Sequence, residues 1–144
     1  MIARCFVDTN ILVYAARMKN DEPRKSAIAN RLIQSERFCL STQVLEEFYV
    51  ASQKSDAGKP TAAPLSQREA AEWVGWLETF CEVGTDGFLV QQAIETSRNY
   101  RISYWDAAII AAADRVSAAI LYSEDLNHGQ RYGSVQVMNP FRIR

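Results

Sequence analysis

The sequence predicts an α/β fold in which helices cover both faces of a parallel sheet. Short apolar runs of strand length alternate with longer stretches that carry apolar residues at helical spacing. This alternation is typical of parallel sheets, because the connection between two parallel strands needs room for a helix. Right-handed crossovers place the carboxyl ends of all the parallel strands at one edge of the sheet, where we expect ligands to bind.

The size and composition are those of one ordinary domain, which we place over residues 1–144. A chain of this length can bury roughly two thirds of the surface that it exposes when unfolded. No apolar run approaches the ~20 residues that cross a bilayer, and Arg4 and Asp8 interrupt the stretch where a signal peptide would be apolar. The three cysteines lie far apart in apolar segments, which is typical of reduced core residues. We therefore expect a cytoplasmic protein.

The first predicted strand covers residues 2–7 and ends at an acidic residue. Its length and β-branched character are those of a buried strand. Asp8, Thr9 and Asn10 follow, and each of their side chains can cap the free N–H groups of a helix. Apolar residues then recur at helical spacing over 11–16. Asp8 is thus predicted at the carboxyl end of a central strand, directly before a helix.

The middle of the chain is predicted to form four helices and two strands. In order, they are helix 24–35, strand 37–40, a helix capped by Ser41 and Thr42, a helix opened by the capping box Ser66–Glu69, edge strand 81–83 and helix 86–99. Trp73 and Trp76 share one face of the fourth helix. Core packing is the favoured role for both tryptophans, and stacking on nucleic-acid bases is the alternative.

The last third of the chain is predicted to form helix 106–117 and strands 119–122 and 135–138. The helix is rich in alanine, and its small side chains would let it lie close to the sheet. Glu124 and Asp125 follow the first of these strands, and we expect Glu124 to point to solvent.

Four acidic residues from distant segments are predicted at the same edge of the sheet. Asp8 and Asp125 each follow a strand, and Asp106 begins the alanine-rich helix. Either Glu46 or Glu47 lies in the first two turns of the helix after the second strand. Neighbouring helical side chains point ~100° apart, so only one of these two glutamates can enter a shared site.

Glu47 is the preferred member of this pair. It shares a helix face with Val44 and Ala51, which predicts a partly buried position. Glu46 is grouped with Gln43 on a face that we expect to be solvated.

Each acid also has a purely structural explanation. Asp8 fits a helix N-cap, Asp106 fits a capping box with Ser103, and Asp125 fits a turn. Together, however, four carboxylates would repel one another unless a cation is bound or their pKa values are raised. A site that has only oxygen ligands selects hard ions, so we expect Mg²⁺ or Mn²⁺ to be bound there.

Other catalytic chemistries are disfavoured by the composition. With one histidine and no CxxC motif, the chain lacks the usual ligands of zinc. A Ser-His-Asp or Cys-His arrangement would need His128, which lies in a turn-like stretch. The net charge of −1 provides no general attraction for nucleic acid, which would have to be held by a local basic strip and by metal.

Five short motifs occur in order along the chain: FVDTNIL at 6–12, STQVLEEF at 41–48, WDAAIIAAA at 105–113, LYSEDL at 121–126 and NPF at 139–141. In these motifs and their spacing, the chain resembles the PIN-domain ribonucleases. The resemblance is greatest to the VapC-like toxins of type II toxin–antitoxin pairs, and it extends over nearly the whole chain.

This resemblance implies a three-layer α/β/α sandwich around a parallel sheet of four to five strands, the first strand being central. It also implies a Mg²⁺- or Mn²⁺-dependent endoribonuclease that forms homodimers and is blocked by a small antitoxin protein. The matching site residues are the acids Asp8, Glu47, Asp106 and Asp125, with Thr9, Asn10 and Ser123 as supporting polar residues.

The corresponding hypothesis is hydrolysis of an RNA phosphodiester to a 3′-hydroxyl and a 5′-phosphate. Asp8 and Asp106 are predicted as direct metal ligands, whereas Glu47 and Asp125 would be further ligands or would orient water. The candidate RNA contacts are Arg17, Lys19, Lys54 and Arg98.

Two alternatives remain open from the sequence. One is a flavodoxin-like signalling module in which Asp8 is phosphorylated, although the adjacent acids and the late lysine expected of such a module are not found. The other is a non-catalytic dimerisation or binding module with the same fold.

Overall fold

A computed structural model describes residues 4–17, 22–55 and 63–142. Its strands are β1 Cys5–Val7, β2 Phe38–Ser41, β3 Cys81–Val83, β4 Ile120–Tyr122, β5 Arg131–Tyr132 and β6 Val135–Met138. Its helices are α1 Thr9–Ala16, α2 Pro23–Ser35, α3 Thr42–Ala51, α4 Gln67–Leu77, α5 Gly87–Tyr100 and α6 Tyr104–Arg115. A 3₁₀ turn, Glu78–Phe80, connects α4 to β3.

The strands form one sheet in the order β3-β2-β1-β4-β6-β5. β1 is central, and every neighbouring pair is parallel except β5 with β6. Helices α1 to α4 contact one another in one group, while α5 packs against α6, which in turn contacts the sheet. The predicted α/β sandwich with a central first strand is confirmed. The first residues predicted for that strand, 2 and 3, lie outside the described residues.

The predicted parallel sheet of four to five strands is confirmed, since five strands are parallel, and the structure adds a short antiparallel strand, β5. This strand has only two residues and pairs with β6 through a tight turn that begins at Gly133. Gly133 has a φ of 62°, which glycine adopts without steric cost. Two residues are too few to give the alternation from which strands are predicted.

Local hydrogen bonds determine where the helices begin. Ser41 and Ser66 accept backbone N–H groups of α3 and α4, and the predicted capping box between Ser66 and Glu69 is present. Ser103 caps α6 in the same way, so this helix begins at Tyr104 and not at Asp106 as predicted. α6 also ends at Arg115, two residues before its predicted end.

The core lies on both sides of β1 and its neighbours. Phe6, Leu121 and Val137 are fully buried on three adjacent strands. The seven residues from Ala107 to Ala113 are buried as well, so this part of α6 packs against protein on all of its faces. Small side chains permit this close approach, as the sequence predicted.

Trp73 and Trp76 belong to an aromatic cluster that also contains Phe48, Phe38 and Phe80. The Phe38 and Phe80 rings stack at 4.3 Å between centroids, and Trp76 meets both rings edge-on. This contact pattern agrees with the packing role that the sequence favoured for the two tryptophans.

The described residues contain no helix that is both long and apolar enough to pass through a membrane. All three cysteines are free thiols. Cys5 and Cys39 are buried as expected, and Cys81 is only half-buried.

The tight packing of α6 predicts that larger side chains are not tolerated there. We expect Ala112→Leu to lower the free energy of unfolding by about 1–3 kcal/mol, because Ala112 is 1 % exposed and the added atoms have no room. Ala71→Leu, on the exposed face of α4, should change stability by less than about 0.5 kcal/mol. Urea unfolding curves would compare the two, and equal effects would contradict close packing of α6.

Candidate active site

The carboxyl ends of the central strands open into a pocket of about 400 Å³. All four acids predicted from the sequence line this pocket: Asp8, Glu47, Asp106 and Asp125. They come from the ends of β1 and β4, from α3 and from the first turn of α6. The sheet topology therefore brings together side chains that are far apart in sequence.

Asp8 is the most buried of these acids, with 6 % of its surface exposed. Its Oδ1 accepts the backbone N–H of Thr9 at 2.7 Å, and its Oδ2 accepts the hydroxyl of Ser123 at 2.8 Å. Burial raises the pKa of Asp8 to about 6; the two hydrogen bonds oppose this rise, and the charges of Asp125 and Glu47 add to it. Asp8 is thus both a helix cap, as one alternative proposed, and a carboxylate held in the pocket.

Asn10 and Ser123 hold the segment that carries Asp125. The Asn10 amide donates to Oδ2 of Asp125 at 2.9 Å, and its side-chain oxygen accepts the N–H of Glu124. The Ser123 hydroxyl accepts the N–H of Asp125 while donating to Asp8. Both residues thus form hydrogen bonds to the pocket carboxylates, and their supporting role in catalysis stays a prediction.

Thr9 also lines the pocket. Within the described parts of the chain, its Oγ1 is buried and has no hydrogen-bond partner. Such a group is costly in a folded protein unless water or a ligand satisfies it.

Gln43, which the sequence analysis grouped with Glu46 on a face expected to be solvated, instead contacts Glu47. It is buried, and its Nε2 donates to Glu47 at 2.7 Å and to the carbonyl of Trp105 at 3.2 Å. Gln43 lies one helical turn before Glu47, so the i, i+4 spacing could have identified it. Glu46 lies on a different face of α3 and is exposed, which agrees with the choice of Glu47 as the glutamate that enters the pocket.

The environment of Glu47 also disfavours its charge. The pKa of Glu47 is raised by burial first and then by the neighbouring carboxylates of Asp106, Glu46 and Asp125, while the Gln43 hydrogen bond opposes the rise.

Asp106 lies in the first turn of α6, and no described residue donates a hydrogen bond to its carboxylate. Ser103 caps its backbone N–H at 3.1 Å, as the capping-box alternative required. Among the described residues, however, no donor bonds the Asp106 carboxylate, so the reciprocal half of a capping box is missing.

The prediction that Glu124 points to solvent is wrong. Its side chain is about one quarter exposed, forms an ion pair with Lys25 and accepts the hydroxyl of Tyr14 at 3.0 Å. Glu124 and Tyr14 both line the pocket wall. Lys25 lies 99 residues away in sequence, so local sequence gave no signal for this contact.

The predicted RNA contacts are distributed unevenly around the pocket. Arg17 and Lys54 line it, and the buried Arg17 donates to the carbonyl of Lys54 at 3.0 Å. Arg98 is exposed near the end of α5 and does not line the pocket. Lys19 lies outside the described residues.

A comparison with protein-family models matches residues 5–133 to the PIN domain. The chain belongs to the PIN domain family. No curated protein matches this PIN domain at the level of sequence. The matched range contains all four acids of the pocket.

Solved structures of similar fold include VapC20 from Mycobacterium tuberculosis, described as a Sarcin-Ricin loop cleaving toxin. It has a TM-score of 0.64 at 22 % identity, over 84 % of this PIN domain chain and 89 % of its own. A toxin–antitoxin complex from Klebsiella pneumoniae has a TM-score of 0.66 at 16 % identity, over 96 % and 99 %. VapBC2 from Rickettsia felis, bound to a promoter DNA fragment, has a TM-score of 0.62 at 17 % identity, over 94 % and 98 %. At these identities the likeness establishes the fold.

The donor atoms of this PIN domain pocket suit a hard divalent cation. The pocket offers carboxylate oxygens and the unpartnered hydroxyl of Thr9. Within the described ranges, no ion pair neutralises any of the four acids. In those ranges, no group of three or more acidic, histidine or cysteine side chains is arranged so that it could hold a metal ion. The chemistry of the donors fits such an ion.

The buried charge of Asp8 predicts a stability that depends on pH. Because its pKa rises from 3.8 to about 6, the folded protein binds this proton more tightly than the unfolded chain. Stability should therefore fall as pH rises from about 4 to about 6, and the full penalty is present above pH 6. We expect Asp8→Asn to stabilise the protein in EDTA at pH 7.5 by at most about 3 kcal/mol.

Urea unfolding between pH 4 and pH 7.5 would measure this effect. Glu46→Gln is the control, because it removes the same charge from an exposed position on the neighbouring helix. Its effect should stay below about 0.5 kcal/mol. A gain from Asp8→Asn that persists unchanged at pH 4 would contradict the assignment of the penalty to the carboxylate.

Proposed function

We propose that this PIN domain is a metal-dependent endoribonuclease and the toxin of a type II toxin–antitoxin pair. The observation that supports it most is the meeting of Asp8, Glu47, Asp106 and Asp125 in one pocket, where no ion pair between described residues offsets their charge. Similarity to VapC20, described as a toxin that cleaves the sarcin–ricin loop, adds support for RNA as the substrate.

Mg²⁺ or Mn²⁺ is the proposed cofactor. Asp8 and Asp106 would hold it directly, and Glu47 and Asp125 would be further ligands or would orient water. When bound, such an ion supplies an activated water and offsets negative charge on the phosphoryl oxygens.

The chain's own residues prepare the pocket for this chemistry. Ser123 and the Thr9 N–H fix the carboxylate of Asp8, Gln43 fixes Glu47, and Asn10 fixes Asp125. Orientation of this kind lowers the reorganisation that the reaction requires. Hydrolysis would leave a 3′-hydroxyl and a 5′-phosphate.

Cations at the pocket rim are proposed to contact the RNA backbone. Lys54 is exposed and lines the pocket, so its ammonium group can reach a phosphate. Arg17 is buried and supports the backbone at Lys54, which suggests that it acts mainly by holding that segment.

An antitoxin partner and a homodimer complete the proposal. The similar structures from Klebsiella pneumoniae and Rickettsia felis are described as toxin–antitoxin assemblies, which supports a protein partner for this chain. The cytoplasmic location expected from the sequence suits an RNA substrate and three free thiols.

The phospho-acceptor alternative is less consistent with the pocket. Asp8 is 6 % exposed, and both of its oxygens already accept hydrogen bonds. A phospho-acceptor module also uses adjacent acids before the first helix and a lysine after a late strand, and this sequence has neither in those places. Incubation with acetyl phosphate and Mg²⁺ should therefore add no phosphoryl mass to the protein.

Removal of one site carboxylate should abolish most RNA cleavage. We expect Asp106→Asn and Glu47→Gln each to lower the cleavage rate by at least about 100-fold, because loss of residues that merely support metal ligands already costs 10–100-fold. Glu46→Gln changes the same charge on the adjacent, exposed residue and should keep near wild-type activity. The assay is cleavage of total RNA with Mg²⁺ or Mn²⁺ and with EDTA. Cleavage that survives EDTA, or equal loss in all three variants, would refute the proposal.

Binding of the ion should also be visible without catalysis. We expect Mn²⁺ to stabilise the wild-type protein against urea by about 2.7 kcal/mol at a concentration 100-fold above its dissociation constant, because the ion binds only the folded state. Asp8→Asn should lose most of this increment, and Glu46→Gln should keep it. An equal increment in Asp8→Asn would place the ion elsewhere.

A further inference from the structure

The acidic pocket poses a problem for binding RNA. Five carboxylates line it: Asp8, Glu47, Asp106, Glu124 and Asp125. Arg17 and Lys54 are the cations among the described lining residues, and the net charge of the chain is −1. Phosphate contacts usually supply much of the affinity for nucleic acid, and here they are few. A second source of affinity is therefore needed.

Trp105 is an aromatic residue in the wall of this pocket, next to Asp106. It is 67 % exposed, although a large apolar ring in water has an unfavourable free energy. Trp73 and Trp76 pack against other rings and do not line the pocket. Trp105 is thus the tryptophan whose surface is available beside the acids.

One contact holds the backbone of Trp105, and another meets its ring. Its carbonyl accepts the Nε2 of Gln43 at 3.2 Å, and it lies in the first turn of α6. The ring of Tyr104 meets its ring edge-on, with 5.0 Å between centroids and 84° between planes. An indole held in this way loses little freedom when a flat partner binds to its face.

We propose that Trp105 stacks on one unpaired RNA base beside the bond to be cleaved. This inference rests on the proposed nuclease function. A base that is paired in a duplex cannot offer its face to a side chain, whereas a base in a loop or single strand can. Every base has such a face, so Trp105 provides affinity without reading sequence.

Exposed aromatic side chains also anchor protein partners, which is the competing explanation. The position of Trp105 favours RNA, because it shares the pocket wall with the proposed catalytic carboxylates. Phe88 provides a contrast, since it is 81 % exposed at the start of α5 and does not line the pocket.

The test compares a flat with a non-flat apolar replacement. Trp105→Phe keeps an aromatic face, whereas Trp105→Leu keeps apolar volume without one, and Phe88→Ala is the control for loss of an exposed ring. Binding of a fluorescein-labelled single-stranded RNA is measured by anisotropy in the Asp106→Asn background, which prevents cleavage. We expect Trp105→Leu to raise the dissociation constant about 5- to 150-fold, and Trp105→Phe to stay within about threefold. Phe88→Ala should have no effect.

Two further measurements separate stacking from a structural role. In the otherwise wild-type enzyme, Trp105→Leu should raise KM by a similar factor with kcat nearly unchanged. An RNA duplex of the same sequence should bind equally to Trp105→Leu and to its parent. Circular dichroism melting confirms folding, and Trp105→Gln replaces Trp105→Leu if the latter does not fold.

The outcomes distinguish this inference from the proposed function. Equal RNA affinity of Trp105→Leu and Trp105→Phe overturns stacking, even if the wild type cleaves RNA. Loss of affinity for the antitoxin alone also overturns it and assigns Trp105 to a protein contact. Aromatic-dependent binding without cleavage by the wild type supports stacking and refutes the nuclease. Absence of both binding and cleavage refutes both.

Discussion

The register between β1 and β4 is the constraint on which the site depends. Val7 pairs with Tyr122, so the next residue on each strand, Asp8 and Ser123, are neighbours at the carboxyl edge of the sheet. The Asp8 N–H continues the ladder by donating to the Tyr122 carbonyl, and the Ser123 hydroxyl then donates to the Asp8 carboxylate. A shift of β4 by one residue relative to β1 would turn Ser123 to the other face of the sheet, away from Asp8. The strand register that forms the sheet therefore also brings these two site residues together.

This arrangement places a carboxylate where it is electrostatically unfavourable. Burial and the nearby charges of Asp125 and Glu47 oppose ionisation of Asp8, and its two hydrogen bonds offset only part of that cost. A serine or asparagine would cap α1 without this penalty. A residue that lowers stability and also lies at the binding edge of a parallel sheet is better explained by the chemistry it supports than by folding.

The sequence predicted those parts of the structure that depend on the periodicity of the apolar residues and on the order of strands and helices. Alternating elements predicted the parallel sheet, and the sheet predicted that Asp8 and Asp125 would meet. The failures concern side chains whose orientation depends on distant partners. Glu124 faces the pocket because Lys25 and Tyr14 bind it, and neither contact is local. The error at Gln43 has a different cause. Its i, i+4 spacing from Glu47 predicts that the two side chains are neighbours, but the sequence analysis grouped Gln43 with Glu46.

Gln43 further links the acidic and the aromatic parts of the pocket. One amide nitrogen donates to the Glu47 carboxylate on α3 and to the Trp105 carbonyl on α6. A single buried side chain therefore connects the Glu47 carboxylate to the start of α6. If a base lies on Trp105, the adjoining phosphate is positioned relative to Glu47 through the same amide. Binding of the base and alignment of the phosphodiester would then be coupled, because both depend on one group that neither contacts the substrate nor carries charge.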